Sequence, residues 1–441
     1  MFIREETYVS RIYITGHRNP DLDAILSAMA YAELKNRIDP DNEYVAVRCG
    51  HLSDSIRELL GKLGITPPPY MHDVSPKMRD VMLTDSRRID CMEPISNLSF
   101  SFSVDNPSAT PIYKNGEFYG LLTNDDIAQW FMDAMQIGEV KSAPLIQDIM
   151  RLEAPSIQAD EHFDEGRSLL LNSGARSLAV MDGDCFAGFA TRRCFLRKPS
   201  YKVILVDHNE AEQSIRGVDE ATVLEIIDHH KLNPVRTDLP IFIDSEPVGS
   251  TCTIIYQLYM KNRIQPDEKV AKYLLAGLVS DTLILKSPTT TGIDRAAASA
   301  LAAILRTSAS AFGAEMFSDI ESLASRDPEK TVQADFKIYK EHGVSFGIGQ
   351  CEVSTLHEVQ EVEERYLEAL GTVKTQKALD WVMLMVTDVV YGDSVLLSTD
   401  YSALRHLPYS RLKQGVYDMP GVMSRKKQLL PEVLHALSTD F

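Results

Sequence analysis

The chain has 441 residues, enough for two or three domains, and its 45 lysines and arginines against 63 aspartates and glutamates give a formal charge of -18. This acidic balance disfavours a protein that binds nucleic acid or an anionic membrane, because such a partner would be repelled. The six cysteines form no CxxC pair, and neither a signal-peptide pattern nor an apolar run of about 18 residues is present, so we expect a cytoplasmic protein without disulfides, zinc ribbon or membrane helix.

The stretch RIYITGHRNPDLDAI, residues 11–25, combines a short strand with side chains that suit a metal ion. Its apolar residues 12–14 predict a buried strand, which ends at Gly16. The polar residues that follow are His17, Asp21 and Asp23. From Asp23 onward the apolar spacing predicts a helix. Imidazole and carboxylate ligands together suit a hard or borderline divalent cation, although a polar loop that caps the helix would look similar.

An internal repeat follows the first strands and helices. Residues 44–49 predict a strand and residues 52–63 an amphipathic helix, and three prolines at 67–69 then mark a boundary. Between about Arg79 and Lys198, two similar copies each contain a strand, a small polar turn and a Gly-x-x-Thr segment. The turns are Lys114-Asn115-Gly116 and Asp182-Gly183-Asp184, and the segments are Gly120–Thr123 and Gly188–Thr191.

Parallel-sheet character returns at Tyr201. Apolar strands are predicted at 203–206 and 223–227, and a third strand is predicted at 241–243. The first strand ends at Asp207, and the second ends in Asp228, His229 and His230. Helices are predicted at 250–259, 270–279 and 293–305, and the second of these leads to Asp281.

The last third of the chain predicts a smaller α+β domain. Residues 307–330 are polar and small, which is typical of a linker. Strands are then predicted at 344–348, 382–389 and 394–397, with a helix at 359–370. The basic run Ser424-Arg425-Lys426-Lys427-Gln428 precedes the final helix.

Four predicted elements therefore end in residues that bind metals. Together they contribute His17, Asp21, Asp23, Asp207, Asp228, His229, His230 and Asp281. In an open α/β sheet the carboxyl ends of the strands meet at one edge, so these side chains are expected to lie together. Imidazoles with several carboxylates are typical of a two-metal hydrolytic site. The absence of cysteine from the set favours manganese, cobalt or magnesium over structural zinc.

The segments GHRNPDLDA, LVDH, DHH, GLVSDTLILKSPTTT and SRKKQ together resemble the DHH phosphoesterases, specifically the family II, manganese-dependent inorganic pyrophosphatases that carry inserted CBS domains. One departure is Leu22, where that family usually has threonine. The resemblance implies an α/β fold: a mostly parallel-sheet DHH catalytic domain, interrupted by a tandem CBS insert of α+β type and followed by a smaller α+β domain. The expected boundaries are 1–70 and 199–310 for the catalytic domain, 71–198 for the CBS pair, 311–330 for a linker and 331–441 for a C-terminal, DHHA2-like substrate-binding domain.

The resemblance also implies a role for each site residue. The metal ligands would be His17, Asp21, Asp23, Asp207, His229 and Asp281, with Asp207 between the two metals. Asp228 would orient a histidine, and His230 would donate a hydrogen bond to a phosphate oxygen. The substrate-binding cations would be Lys337, Arg425 and Lys426, while Lys427 is expected to be a surface residue.

In CBS pairs, the threonine and the residue three positions later contact an adenine nucleotide. The matching residues here are Thr123 with Asp126 and Thr191 with Cys194, and a thiol recognises ribose hydroxyls poorly. Arg192 and Arg193 would then meet phosphate. The resemblance implies regulation by AMP, ADP or ATP and a homodimer. The alternative is a purely structural insert without a ligand.

The function implied is hydrolysis of inorganic pyrophosphate to two phosphates, with Mn²⁺ or Co²⁺ in the site and Mg²⁺ accompanying the substrate. One alternative is a DHH phosphodiesterase or phosphatase that acts on short oligonucleotides, cyclic dinucleotides or nucleotides, although the GGGH-like segment of those relatives is missing. Another is a nucleotide sensor whose hydrolase has decayed, but every expected ligand is present. The metal loaded in the cell and the nucleotide preferred are left open by the sequence.

Overall fold

The computed structural model describes residues 10–84, 89–98, 109–137, 144–150, 155–318, 322–353, 355–388 and 392–440. Two compact units are formed, and the second interrupts the first. The first unit contains residues 1–73 and 202–441, and the second contains residues 74–201, against the expected insert of 71–198.

The first unit opens with alternating strands and helices: β1 (Ser10–Thr15), α1 (Leu22–Ile38), β2 (Asn42–Val47) and α2 (Asp54–Lys62). β1 and β2 pair in parallel along their whole length. Asp21 caps α1, because its side chain accepts a hydrogen bond from the amide of Ala24. Leu22 is fully buried in the hydrophobic core, so an apolar side chain at this position packs inward between the polar residues on either side.

The inserted unit repeats one small architecture. Its elements are β3 (Ile89–Asp90), β4 (Ala109–Lys114), β5 (Glu117–Thr123), α3 (Asn124–Ile137), β6 (Ser156–Gln158), α4 (Phe163–Ser173), β7 (Ser177–Asp182) and β8 (Cys185–Thr191). They form two three-stranded sheets, β3-β4-β5 and β6-β7-β8, each with one parallel and one antiparallel pair. Asn115, Gly116 and Gly183 have positive φ, as tight hairpin turns require. The internal repeat predicted from the sequence is thus present in the fold.

The chain then returns to the first unit with β9 (Lys202–Val206), β10 (Thr222–Asp228), β11 (Phe242–Ser245), α5 (Thr251–Lys261), α6 (Glu268–Asp281), α7 (Gly292–Ile304) and α8 (Ala309–Phe317). The strands complete a sheet of order β11-β10-β9-β1-β2 in which every pair is parallel. Residues 203–206 of β9 are fully buried, as expected for a central strand covered on both faces. The predicted parallel sheet is confirmed. Its hydrophobic cluster, which contains residues between 12 and 317 and also Met423, is called the first core below.

The last part of the chain forms a second sheet. Its elements are α9 (Pro328–Ala334), β12 (Phe336–Glu341), β13 (Val344–Val353), α10 (Val359–Gln376), β14 (Trp381–Asp388), β15 (Ser394–Ser398), β16 (Ser410–Lys413), β17 (Val416–Met419) and α11 (Leu430–Asp440). The strand order is β12-β13-β14-β15-β17-β16, and only β13 and β14 pair in parallel. This arrangement confirms an α+β C-terminal part. Its strand β12, which carries Lys337, was missing from the sequence prediction.

Of the predicted linker at 311–330, the structure describes residues 311–318 and 322–330, and each of these parts contains helical residues. Helix α8 extends to Phe317, which is buried in the first core together with Met316. Leu323 is fully buried in the C-terminal part, where its carbonyl accepts a hydrogen bond from the hydroxyl of Tyr366. Three apolar residues of this polar stretch, Met316, Phe317 and Leu323, therefore pack into the hydrophobic clusters of the neighbouring domains.

Two further observations concern the environment of the chain. All six cysteines, each within the described residues, are free thiols. Among the helices that the structure describes, none has the length and apolar character needed to cross a membrane.

Candidate metal centre

Metal-type side chains follow three neighbouring strands of the first sheet. β1, β9 and β10 are adjacent and parallel, so their carboxyl ends lie along the same edge. His17 follows β1, Asp207 follows β9, and His229 and His230 follow β10, whose last residue is Asp228. The edge of the sheet thus brings together residues that lie more than 200 positions apart, as the sequence predicted.

The backbone at two of these strand ends is unusual. A Cβ atom on Gly16 would lie 2.5 Å from the carbonyl oxygen of Ala24, so only glycine lets the first turn of α1 approach the end of β1. Asp207 adopts a left-handed conformation with φ of 61°, and its amide donates to the carbonyl of Ile227 at 2.9 Å. This conformation is rare for a residue with a side chain, and strain of this kind concentrates at functional sites.

Asp207 lies between two histidines. Its Oδ2 atom is 3.4 Å from Nε2 of His17, and its Oδ1 atom is 3.4 Å from Nε2 of His229. A second carboxylate completes each side: Oδ2 of Asp21 is 3.4 Å from Nε2 of His17, and Oδ2 of Asp281 is 3.4 Å from Nε2 of His229. The side chains therefore form two clusters of possible ligands that meet at Asp207.

These clusters fit divalent cations. His17, Asp21 and Asp207 offer ligand atoms within 4.8 Å of one another, as do Asp23, His229 and Asp281. Nδ1 of His229 lies 3.0 Å from the carbonyl of Val248, which places the proton on Nδ1 and a lone pair on Nε2. That Nε2 atom is buried without a hydrogen-bond partner among the described residues. A buried lone pair that faces carboxylates is suited to a cation, and the nitrogen and oxygen donors suit manganese, cobalt or magnesium.

The pKa shifts of the side chains in the centre also indicate that it favours positive charge. Burial by itself would lower the pKa of His17, but Asp21 and Asp207 outweigh it and raise that pKa well above the ordinary value. Burial likewise opposes the charged form of His229, whose pKa is nevertheless raised by Asp207 and Asp281. Burial would raise the pKa of Asp207, but the two histidines hold it well below the ordinary value.

Asp23 is almost completely buried and also accepts hydrogen bonds from the start of a helix. It accepts hydrogen bonds from the hydroxyl of Ser250 at 2.7 Å and from the amides of Thr251 at 2.7 Å and Cys252 at 3.1 Å, at the start of α5. Burial, followed by the charge of Asp207, raises the pKa of Asp23 to about 7. The hydroxyl of Thr251 donates to Asp207 at 2.9 Å. Ser250 and Thr251 lie at the start of the helix predicted at 250–259, and the sequence analysis missed their contacts with these carboxylates.

Asp228 orients His230. It is fully buried, and its Oδ1 atom lies 2.9 Å from Nδ1 of His230 and accepts from the His230 amide at 3.1 Å. Its other oxygen accepts from the amide group of Asn209 at 2.6 Å, a contact that the sequence did not reveal. The His230 ring is partly exposed, and its Nδ1 atom lies 3.9 Å from Asp207. His230 therefore borders the clusters from the solvent side.

Three predicted cations lie in the C-terminal part of the same unit. Arg425 is buried, and its guanidinium donates to the carbonyl of Asp335 at 2.6 Å, to the carboxylate of Asp335 at 2.9 Å and to the carbonyl of Ile348 at 3.2 Å. Lys426 is exposed. Partial burial, followed by the charges of Arg425 and Lys426, lowers the pKa of Lys337.

Two acidic residues beside the clusters respond to charges from the other part of the unit. Hydrogen bonds from Gln213 and Lys231, and then the charge of Lys426, lower the pKa of Glu210, which follows Asp207 by three positions. Burial, and then the charges of neighbouring carboxylates that include Asp21, raise the pKa of Glu352 to about 7. Glu352 was missed because the sequence predicted that its strand would end at residue 348, whereas β13 continues to Val353.

The predicted nucleotide-binding residues lie in the inserted unit. Asp126 accepts hydrogen bonds from the hydroxyl of Thr123 at 2.6 Å and from its amide at 2.9 Å. In the second copy the amide of Thr191 donates to the sulfur of Cys194 at 3.3 Å, so the thiol replaces the carboxylate in the same turn. The remaining predicted residues, Arg192 and Arg193, are exposed at that turn.

Comparison with known proteins identifies both parts of the first unit. Residues 11–278 match the model described as DHH family, N-terminal domain, and residues 314–436 match the DHHA2 domain. A cobalt-dependent inorganic pyrophosphatase of Clostridium perfringens is 26% identical to this chain, over 97% of the chain and 98% of its own length. A manganese-dependent inorganic pyrophosphatase of Methanothrix thermoacetophila is 36% identical, over 52% of the chain and 75% of its own length.

A solved structure shares the fold. The crystal structure of a Methanococcus jannaschii chain assigned to the family II inorganic pyrophosphatases has a TM-score of 0.55 to this one. It covers 97% of this chain and 99% of its own length at 22% sequence identity. At this level of identity the comparison shows the arrangement of secondary structure, and the site has to be argued from its own side chains.

Metal binding tests the clusters directly. We expect His229→Ala to weaken Mn²⁺ binding by at least about a hundredfold, because the substitution removes a buried nitrogen that faces Asp207 and Asp281 and has no hydrogen-bond partner among the described residues. His435→Ala, at an exposed position of α11, is the matched control and should bind Mn²⁺ like the parent. Isothermal titration of metal-stripped protein measures both. Equal affinities for the parent and His229→Ala would exclude His229 from the ligands.

Proposed function

The chain belongs to the DHH family, its enzyme class is that of the inorganic pyrophosphatases, and from this premise we propose that its site hydrolyses pyrophosphate to two phosphates with Mn²⁺ or Co²⁺ bound. The observation that carries the proposal is Asp207, whose two oxygens face the two histidines of adjoining clusters. One cation would be held by His17, Asp21 and Asp207, and a second by Asp23, His229 and Asp281, with Asp207 shared.

Cations in these clusters supply Lewis acidity, which neutralises phosphoryl oxygens and promotes deprotonation of water near neutral pH. The protein supplies the orientation. Asp228 fixes the ring of His230, so that His230 can donate a hydrogen bond to a phosphate oxygen at the solvent side of the clusters. Lys337 and Lys426 place positive charge opposite the clusters, where they stabilise charge on the leaving phosphate. Mg²⁺ would accompany the pyrophosphate.

Arg425 has a different role from Lys426 in this proposal. Its guanidinium is already engaged by Asp335 and by the carbonyl of Ile348, so it fixes the basic segment against β12 and β13. Its positive charge still contributes to the field at the substrate. Lys426 is exposed and makes no such contacts in the described part of the chain, which leaves its ammonium group available to phosphate.

We propose further that the inserted unit is a CBS pair that regulates the enzyme by binding AMP, ADP or ATP. The repeated sheets and the matching turns at Thr123 and Thr191 support this assignment. Asp126 would accept the ribose hydroxyls, while Arg192 and Arg193 would contact phosphate. The exposed apolar side chains Phe131, Met132 and Met135 of α3 support a homodimer formed through this unit.

A cytoplasmic location is in keeping with six free thiols.

The direct test is phosphate release from pyrophosphate. Metal-stripped protein should be inactive, and Mn²⁺ or Co²⁺, with Mg²⁺ present for the substrate, should restore turnover. Short oligonucleotides and a cyclic dinucleotide serve as competing substrates. Turnover of these but not of pyrophosphate would replace the proposed substrate, and nucleotide binding without metal-dependent turnover of any of them would indicate a sensor rather than an enzyme.

The role of Lys426 can be separated from that of its neighbour. We expect Lys426→Ala to raise the KM for pyrophosphate by about tenfold to a hundredfold, because a charge-assisted contact to phosphate is lost. Lys427→Ala removes an exposed lysine from the next position and should leave KM unchanged. Steady-state kinetics at saturating Mn²⁺ compare the two variants. Equal effects of both substitutions would show that only the overall charge of the segment matters.

Nucleotide binding has its own variant pair in the two repeats. Asp126→Ala should weaken AMP binding to the full chain by about tenfold or more, since the carboxylate that would accept the ribose hydroxyls is gone. Cys194→Ala, at the matching position of the second repeat, should change the affinity little because a thiol is a poor acceptor. Isothermal titration with AMP provides the measurement. If neither the parent nor either variant binds AMP, ADP or ATP, the insert is structural.

A further inference from the structure

Met423 lies in the C-terminal part of the chain but is buried in the first core. Among the described residues it is the only member of that hydrophobic cluster that comes from beyond residue 317, and its side chain is 4% exposed. By contrast, Met419, four positions earlier, is fully buried in a cluster made entirely of C-terminal residues. The chain therefore passes from one core to the other just before the basic segment.

The backbone around Met423 is fixed by its own domain. The side-chain oxygen of Gln428 accepts from the amides of Met423 and Ser424, each at 2.9 Å, and its nitrogen donates to the carbonyl of Gly421 at 2.9 Å. The hydroxyl of Ser424 in turn accepts from the amide of Lys427 at 3.2 Å. Residues 421–428 are therefore tied to one another, and Arg425 ties them to β12 and β13, so the contact of Met423 with the first core bears on where this segment lies relative to that core.

The surroundings of Met423 are shaped for this side chain. Gly392 has a φ of 86°, and a Cβ atom placed on it would lie 3.3 Å from the sulfur of Met423 and 3.5 Å from Cδ of Lys286. Gly392 thus lies against both the thioether of Met423 and the aliphatic stem of Lys286. Methionine is unbranched and flexible, which suits it to fill an irregular space between two domains.

Lys286, which lies on the other side of Gly392, is connected to the metal centre by a short turn. Lys286 ends a turn that starts directly after Asp281, and in this turn Leu283, Ile284 and Leu285 all have positive φ. Three consecutive left-handed residues with large side chains are costly, and they persist only where packing imposes them. The amide of Lys286 donates to the carbonyl of Thr282 at 3.0 Å, which closes the turn. The receiving surface for Met423 is therefore held rigidly relative to Asp281.

We propose that Met423 is a positioning residue that holds the segment 421–428, and with it Lys426, at a fixed place over the metal clusters. The inference rests on the proposed function for its kinetic consequence. Burial of the Met423 side chain favours the arrangement in which the metal clusters and Lys426 both face the substrate. If the domain that holds the metal clusters separates from the domain that holds Lys426, this side chain becomes exposed. Loss of the contact therefore weakens substrate binding without removing any group that touches the substrate.

The experiment compares three variants of the full chain. We expect Met423→Ala to raise the KM for pyrophosphate about tenfold while kcat is unchanged or higher, because the closed arrangement has to be formed at the expense of substrate binding. Met423→Leu keeps most of the volume and should restore the KM of the parent. Met419→Ala removes an equally buried methionine from the C-terminal core and should lower thermal stability while leaving KM unchanged.

Hydrogen exchange of the metal-free protein gives a readout independent of turnover. Met423→Ala should accelerate exchange at the amides of residues 284–287 and of the segment 421–428, whereas Met419→Ala should accelerate it in β15 and β17. Unchanged KM and unchanged exchange at 284–287 in Met423→Ala would overturn the inference while the parent remains an active pyrophosphatase. A parent without pyrophosphate turnover would instead refute the proposed function, and the exchange pattern would still decide whether Met423 joins the two domains.

Discussion

The structure depends on how it accommodates one buried carboxylate, that of Asp207, between His17 and His229. A charged carboxylate that is 2% exposed is costly unless its oxygens are paired, and here both oxygens face imidazole nitrogens at 3.4 Å. The neighbouring carboxylate of Asp23 is compensated instead by the first amides of α5. The amides at the start of α5 thus offset part of the cost of burying the Asp23 carboxylate, and the excess of carboxylates over histidines in the centre suits the proposed cations.

The parallel sheet makes this concentration of charge possible and also makes it predictable. Strand pairing in register places the ends of β1, β9 and β10 side by side, so an apolar run followed by His or Asp was enough to predict which side chains meet. The contributions of Ser250, Thr251 and Asn209 were not predictable in the same way. Their side chains look like ordinary caps and loop residues in the sequence, and only the tertiary fold brings them onto Asp23, Asp207 and Asp228.

The C-terminal part was harder to predict, because its candidate site residues do not lie at the ends of apolar runs. Strand β13 continues past its apolar core into Gln350 and Glu352, and a pattern of alternating apolar residues ends before them. Arg425 illustrates a second limit. The motif that contains it predicts a phosphate-binding residue, whereas its burial and three hydrogen bonds within the C-terminal part give it a structural task as well.

The site of the insertion has a physical consequence for regulation. Residues that lead into the inserted unit are tied to the sheet edge: the amide of Met71 donates to the carbonyl of Arg48 at 2.9 Å, and the carbonyl of His72 accepts from the amide of Arg216 at 3.2 Å. The segment that ends at Arg216 also contains Gln213, whose carbonyl accepts from the amide of Arg18 at 2.7 Å. Arg18 directly follows the ligand His17. The segment that leads into the inserted unit is thus joined to the residue after His17 by two backbone hydrogen bonds and one short loop within the first unit.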